Sequence, residues 1–216
     1  MEKQMAASQA IIVDYQAGNV ESVQRACHAV GIDALISADP DLIRKAERVI
    51  FPGVGTAESA VRTLHKTGIW DALLDFADAG RPLLGICLGA QILMEQTEEG
   101  DQACLGLIPG QCRQFRFEDA SLKVPQIGWN AVRFEKDHPL LNDIPTGFEF
   151  YFVHSYYVQC RHPIHVLGET TYGDQTFASV IGREHLVATQ FHLEKSGRFG
   201  LQLLANFSKW DGCYVK

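Results

Sequence analysis

In the first hundred residues, short apolar runs alternate with stretches of helical periodicity, and that alternation confines the chain to folds built on a parallel sheet. Residues 10–14 (Ala-Ile-Ile-Val-Asp) read as a buried strand. Asn19 is placed to cap a helix with Glu21 in its first turn; Val20, Val23, Cys27 and Val30 then recur at helical spacing, and Gly31 stops the run. A strand is expected over 34–37, a helix from Asp39 or Asp41, and a strand over 48–51 ended by Pro52-Gly53. Helices follow near 57–65 and 70–79, then an apolar strand over 82–86 and a helix over about 89–96. Such units pair in parallel through right-handed crossovers and place ligands at the carboxyl ends of their strands.

The second half reads differently. Residues 124–134, 149–159, 164–169, 176–181 and 186–191 have strand character, with Gly, Asp and Pro in their connections, so a more antiparallel region is expected on the same core. The last segment, 196–210, is helical with Phe199, Leu203 and Phe207 on one stripe. No repeat or linker divides the 216 residues, which read as one domain with a polar, frayed start at 1–9. No apolar run is long enough to span a bilayer and the start lacks a signal peptide, so the cytoplasm is the expected location. A net charge of −7 argues against nucleic acid as the main partner. The six cysteines lack CxxC spacing, which argues against zinc and a disulfide framework; no metal and no cofactor is expected.

One cysteine stands apart. Gly85-Ile86-Cys87-Leu88-Gly89 lies between an apolar strand and a helix, the thiol counterpart of the G-x-S-x-G nucleophile elbow. Small residues on both sides allow the sharp turn, and the N–H of Leu88 points to where an oxyanion would form. Against this stands a buried cysteine between two turn glycines. Pro52-Gly53-Val54-Gly55 is a strand end running into a glycine-rich loop, either a substrate-facing backbone or a plain turn. In Gln190-Phe191-His192-Leu193-Glu194, a base and a carboxylate two residues apart share one face of an extended chain, as an oriented general base requires. Of the eight histidines, His154 is open between lining a site and packing beneath it.

Taken together, these segments resemble the class I (triad) glutamine amidotransferases. The resemblance implies a three-layer α/β, flavodoxin-like fold with a mainly parallel central sheet and helices on both faces. Within that family the chain is most similar to the glutaminase subunits of imidazole glycerol phosphate synthase, through Asp14-Tyr15-Gln16-Ala17-Gly18-Asn19, Lys123-Val124-Pro125-Gln126-Ile127-Gly128-Trp129-Asn130, Tyr151-Phe152-Val153-His154-Ser155-Tyr156-Tyr157 and Glu194-Lys195-Ser196-Gly197.

That resemblance implies Cys87 as nucleophile, His192 as base and Glu194 as its orienter, with an oxyanion hole from the backbone of Val54 and Leu88. Gly55, Gln91, Ser155 and Tyr156 match positions that hold L-glutamine. Asn19, Lys123, Gln126, Trp129, Asn130, Tyr151 and Lys195 match an interface with a (β/α)₈-barrel cyclase subunit, which would form a heterodimer with this chain and receive its ammonia for histidine biosynthesis.

Leu193 stands where many members have proline, and a less restrained loop is expected there. Rival readings are a paralogue feeding a surface-sugar amidotransferase synthase, a stand-alone γ-glutamyl cysteine hydrolase, and a binding module with a vestigial site.

Overall fold

The computed structural model describes residues 10–16 and 18–214; the segment 1–9, expected to fray, lies outside the described residues. The first half runs β1 (Ala10–Val13), α1 (Val20–Ala29), β2 (Ala34–Ser37), α2 (Pro40–Lys45), β3 (Val49–Gly53), α3 (Ala57–Thr67), α4 (Ile69–Asp78), β4 (Leu83–Cys87) and α5 (Leu88–Ile92). The second half adds β5 (Gln96–Thr97), β6 (Gln102–Ala103), β7 (Gly110–Gln114), β8 (Gln126–Phe134), β9 (Phe148–His154), β10 (Tyr156–Cys160), β11 (Val166–Tyr172), β12 (Gln175–Arg183), β13 (Leu186–Thr189) and α6 (Gly197–Lys209).

The sheet order is β2-β1-β3-β4-β13-β12-β10-β7-β5-β6. Its first five strands are parallel, and β13 then pairs antiparallel with β12, as β12 does with β10 and β10 with β7. Strand β11 carries β8 and β9 off the edge of β12. The parallel strands β1, β3, β4 and β13 are buried on both faces, and their side chains alternate between two cores. Ile11, Val13, Val49, Phe51 and Leu83 pack with α2, α3, α4 and α5 on one face. Ile12, Ile50, Leu84, Ile86 and Val187 pack with α1 and α6 on the other. The catalytic-looking segments leave this sheet at adjacent strand ends, because β3, β4 and β13 are direct neighbours.

Four local expectations are corrected. Strand β3 continues through Pro52 and Gly53, which pair with Ile86 and Cys87. Its register with β1 runs only over Val49 and Ile50, so proline's missing donor falls where β3 has β4 as its one ladder partner. Helix α5 stops at Ile92 rather than near residue 96. The segment after it takes over the backbone acceptors: Leu105 N–H donates to Ile92 O, Ile108 to Leu93 O and Gly106 to Met94 O. The single strand expected over 149–159 breaks at Ser155, where the chain leaves β8 for β7 and β12, and Ser155 O accepts from Phe115 N–H. Asn19 occupies the cap position of α1, but in a left-handed conformation (φ 67°) and with no side-chain bond to the helix. Its amide is used elsewhere.

Candidate active site

Cys87 ends β4 in a conformation that side-chain-bearing residues rarely adopt (φ 54°, ψ −107°). Such a residue costs roughly 1–3 kcal/mol and persists only where its surroundings enforce it. Here the flanking glycines do so. A Cβ at Gly89 would sit 1.8 Å from Phe51 O, and one at Gly85 2.9 Å from Ala188 Cβ. The helix after the elbow therefore packs directly on the backbone of β3, and the thiol is held at the head of β4, 5% exposed. Gln190 Nε2 lies 3.8 Å from its Sγ, and Val153 O lies 3.9 Å away.

His192 follows the neighbouring strand β13. Its Nδ1 lies 2.9 Å from Glu194 Oε1, and the two side chains are 1% and 0% exposed. The other nitrogen, Nε2, is buried with no partner in normal hydrogen-bonding geometry among the described residues and is the nitrogen left for Cys87. Burial opposes charge on the imidazole, but interaction with the Cys87 sulfur and with Glu194 outweighs it and raises the pKa to about 10. Burial also disfavours a charged Glu194, yet bonds to His192 and Asn19 hold its pKa below the usual carboxylate value. The site thus favours an imidazolium that is paired with the Glu194 carboxylate and lies beside the Cys87 sulfur, and a positive neighbour of that kind makes a cysteine nucleophilic.

The loop carrying His192 is more restrained than Leu193 in place of proline implies. Leu193 is fully buried. His192 N–H donates to Tyr151 O at 2.9 Å, Lys195 N–H to His192 O at 3.1 Å, and Ser196 Oγ to His192 O at 2.6 Å. Packing and a short 3₁₀ turn over Leu193–Lys195 supply the rigidity that a proline ring would.

Cys87 and His192 open into a cavity of about 320 Å³ lined also by Val54, Gly55, Leu88, Gln91, Ser155 and Tyr156. All the residues expected to hold substrate or an oxyanion are brought to it, while Glu194 stands behind His192. Gln91 is 5% exposed and donates to Tyr156 O at 2.9 Å, so it also ties α5 to β10. His154 does both things left open for it. It lines the cavity, and burial, outweighing its bond to Tyr156 O, drives its pKa down to about 4, so it is a neutral wall.

Two groups escaped the sequence reading. Gln190 touches the nucleophile but reads as part of an apolar strand end. Glu99 is the acidic group lining the cavity, and Ala57 N–H, at the start of α3, donates to its Oε2 at 2.7 Å. Nothing in the local pattern separates Glu99 from its neighbour Glu98.

The residues expected at an interface fall into two sets. Trp129 is 53% exposed opposite half-buried Tyr151, with ring centroids 6.0 Å apart, and exposed Lys195 places Nζ 5.9 Å over the Tyr151 ring. Lys123 is exposed, and the exposed apolar side chains Val124 and Ile127 (64%) extend this surface beside the cavity. Gln126, by contrast, is buried, and Asn130 is half-buried with its amide bound to Thr171 O. Asn19 is half-buried and donates inward to Glu194 Oε1.

The family model described as glutamine amidotransferase class-I matches residues 11–210. The protein described as imidazole glycerol phosphate synthase subunit HisH of Desulfovibrio desulfuricans is 50% identical over 204 residues, covering 92% of this chain and 93% of its own. Its counterpart in Chromobacterium violaceum is 42% identical over 208 residues, covering 93% and 97%. Among solved structures, one described as a glutamine amidotransferase superposes with a TM-score of 0.72 at 18% identity, covering 93% of this chain and 99% of its own. PurLQS from Thermotoga maritima superposes with 0.70 at 17%, covering 94% and 98%. At these identities the structures speak for the fold.

Proposed function

Because the chain belongs to the class-I glutamine amidotransferases, and its function is that of the glutaminase subunit of imidazole glycerol phosphate synthase, we propose that Cys87, His192 and Glu194 are its catalytic triad. The observation that carries this is the buried His192–Glu194 pair, whose free imidazole nitrogen is left for a thiol at a strained elbow.

Cys87 thiolate attacks the side-chain amide carbon of L-glutamine. The tetrahedral oxyanion is met by the backbone N–H groups of Leu88 and Val54, each donor typically worth about 3 kcal/mol. His192 gives its proton to the leaving nitrogen, and ammonia departs as the C–N bond breaks. Water, deprotonated by His192, then cleaves the thioester and releases glutamate and the Cys87 thiol. Glu194 keeps the imidazole in the orientation and tautomer that both steps need. Gly55, Gln91, Ser155 and Tyr156 seat the substrate, and Glu99 gives its α-ammonium group a counter-charge.

The chain acts as a subunit with a partner. In this reading the partner is a (β/α)₈-barrel cyclase that docks on the Trp129–Tyr151–Lys195 surface as a heterodimer and takes the ammonia. Lys123, Gln126 and Asn130 support that surface from β8 and the segment before it, Gln126 from within. Among the described residues no helix is long and apolar enough to cross a membrane, and the reading places this biosynthetic subunit, one domain over 1–216, in the cytoplasm.

Glutaminase turnover is expected to rise at least about tenfold when the purified chain is mixed with the cyclase and its nucleotide substrate, a coupling of ordinary size between sites. Release of glutamate, followed with and without the partner, checks this. Full turnover by the isolated chain, with no response to the cyclase, would favour a stand-alone hydrolase.

A further inference from the structure

Asn19 was expected to cap α1 and to lie at a partner interface; its side chain makes no cap bond to the helix and reaches the triad segment instead. Its backbone does begin the helix, since Asn19 O accepts from Ser22 and Val23 N–H at 3.2 Å each. Its side-chain nitrogen instead lies 2.5 Å from Glu194 Oε1, across 175 residues of chain. That oxygen also accepts from His192 Nδ1 at 2.9 Å, while Oε2 of the same carboxylate is buried with no hydrogen-bond partner among the described residues. The carboxylate is thus pinned at one oxygen by two donors. If the amide were removed, only His192 and the residue's own backbone N–H would act on the carboxylate, and the histidine would be oriented by a group less firmly held.

We propose that Asn19 is a positioning residue of the catalytic site: it fixes the rotation of Glu194 and, through it, the imidazole that serves Cys87. The left-handed backbone is what lets one residue start α1 and still send its amide back to the triad, and asparagine tolerates that conformation better than most residues. The neighbouring Gly18 lies against the oxyanion loop, since a Cβ there would be 3.4 Å from Val54 Cγ2. One short turn after β1 therefore touches both ends of the site.

This inference rests on the triad reading above, and the test separates the two. In Asn19→Gly the left-handed backbone is kept without strain and only the amide is lost. In Asn19→Asp shape and backbone tolerance are kept, but a second carboxylate replaces the donor. Both are assayed as the complex with the cyclase, alongside Cys87→Ser, with thermal melting as a control on folding. The titratable groups around the triad are Cys87, His192, His154, Tyr15, Glu99 across the cavity and the exposed Lys195; none is altered.

Asn19→Gly is expected to lower kcat roughly ten- to a hundredfold, the scale of one hydrogen bond to a buried charge, with KM unchanged. The acid limb of its pH profile moves to higher pH, because Glu194 takes up a proton more readily once a donor is lost. Asn19→Asp is expected to lose more and to shift the limb further, since two carboxylates in contact share a proton. A purely structural role would lower the melting temperature and leave the limb in place. Wild-type kcat and pH profile in both variants, with Cys87→Ser inactive, would overturn the positioning role and leave the triad standing. Activity retained in Cys87→Ser would overturn the triad itself.

Discussion

Cys87→Ser is expected to lower glutamine-dependent synthesis by at least about a thousandfold, and to leave synthesis from added ammonium salt unchanged. The first half follows from the chemistry of the elbow. A serine oxygen fits the same strained position, but a hydroxyl proton is far harder to remove than a thiol proton, so His192 cannot activate it to the same degree. The second half follows from the division of labour, since ammonia supplied from solution bypasses the amide. Measuring both rates on one preparation of the complex makes the test internally controlled. A parallel loss of both would indicate a damaged complex rather than a missing nucleophile.

Glu194→Gln is expected to reduce kcat by roughly a hundredfold to ten-thousandfold, the range seen when the acidic member of such a triad loses its charge. The amide fits the same space. Its oxygen must take the place of Oε1 to satisfy both His192 and Asn19, which leaves its NH₂ group at the buried, unpartnered position of Oε2. Because Glu194 stands behind His192, away from the cavity, KM for glutamine should change little. A pH signature accompanies the loss. His192 is raised in the folded protein to about 10, against about 6.5 when unfolded. Its protonation therefore contributes stability that is full below about pH 6.5 and lost as pH rises through about 10. Melting temperatures between pH 7 and 10 should fall in the wild type and fall less in Glu194→Gln, where a main support of the imidazolium is gone.

Much of the fold was legible because the parallel strands are buried on both faces and bounded by helix signals, as at Ile11–Val13 before Val20 or Leu83–Ile86 before Leu88. The elbow was legible because its constraint is steric and local: Gly85 and Gly89 stand where a side chain would strike Ala188 and Phe51. What was hidden depends on groups distant in sequence. Helix α5 is cut short by a segment that returns a dozen residues later to take its carbonyls, and periodicity cannot foresee such competition. The break at Ser155 arises from a change of sheet partner, invisible in a run that is strand-like throughout. Glu99 joins the cavity because the first N–H of α3 holds it there, and Asn19 reaches Glu194 because a left-handed backbone turns it inward. Leu193 shows the same limit from the other side, since the loop is held by burial of Leu193 and by the bonds of the His192 backbone to Tyr151 and Ser196 rather than by a proline ring.

A nucleophilic Cys87 must itself carry the γ-glutamyl group on its sulfur during turnover. Acid quenching of the complex while it turns over glutamine, followed by digestion and mass spectrometry, tests it directly. One γ-glutamyl adduct is expected, on the peptide bearing Cys87, that disappears when glutamine is exhausted and is absent from Cys87→Ser. An adduct on any other residue, or rapid ammonia release from an enzyme never acylated at Cys87, would contradict it.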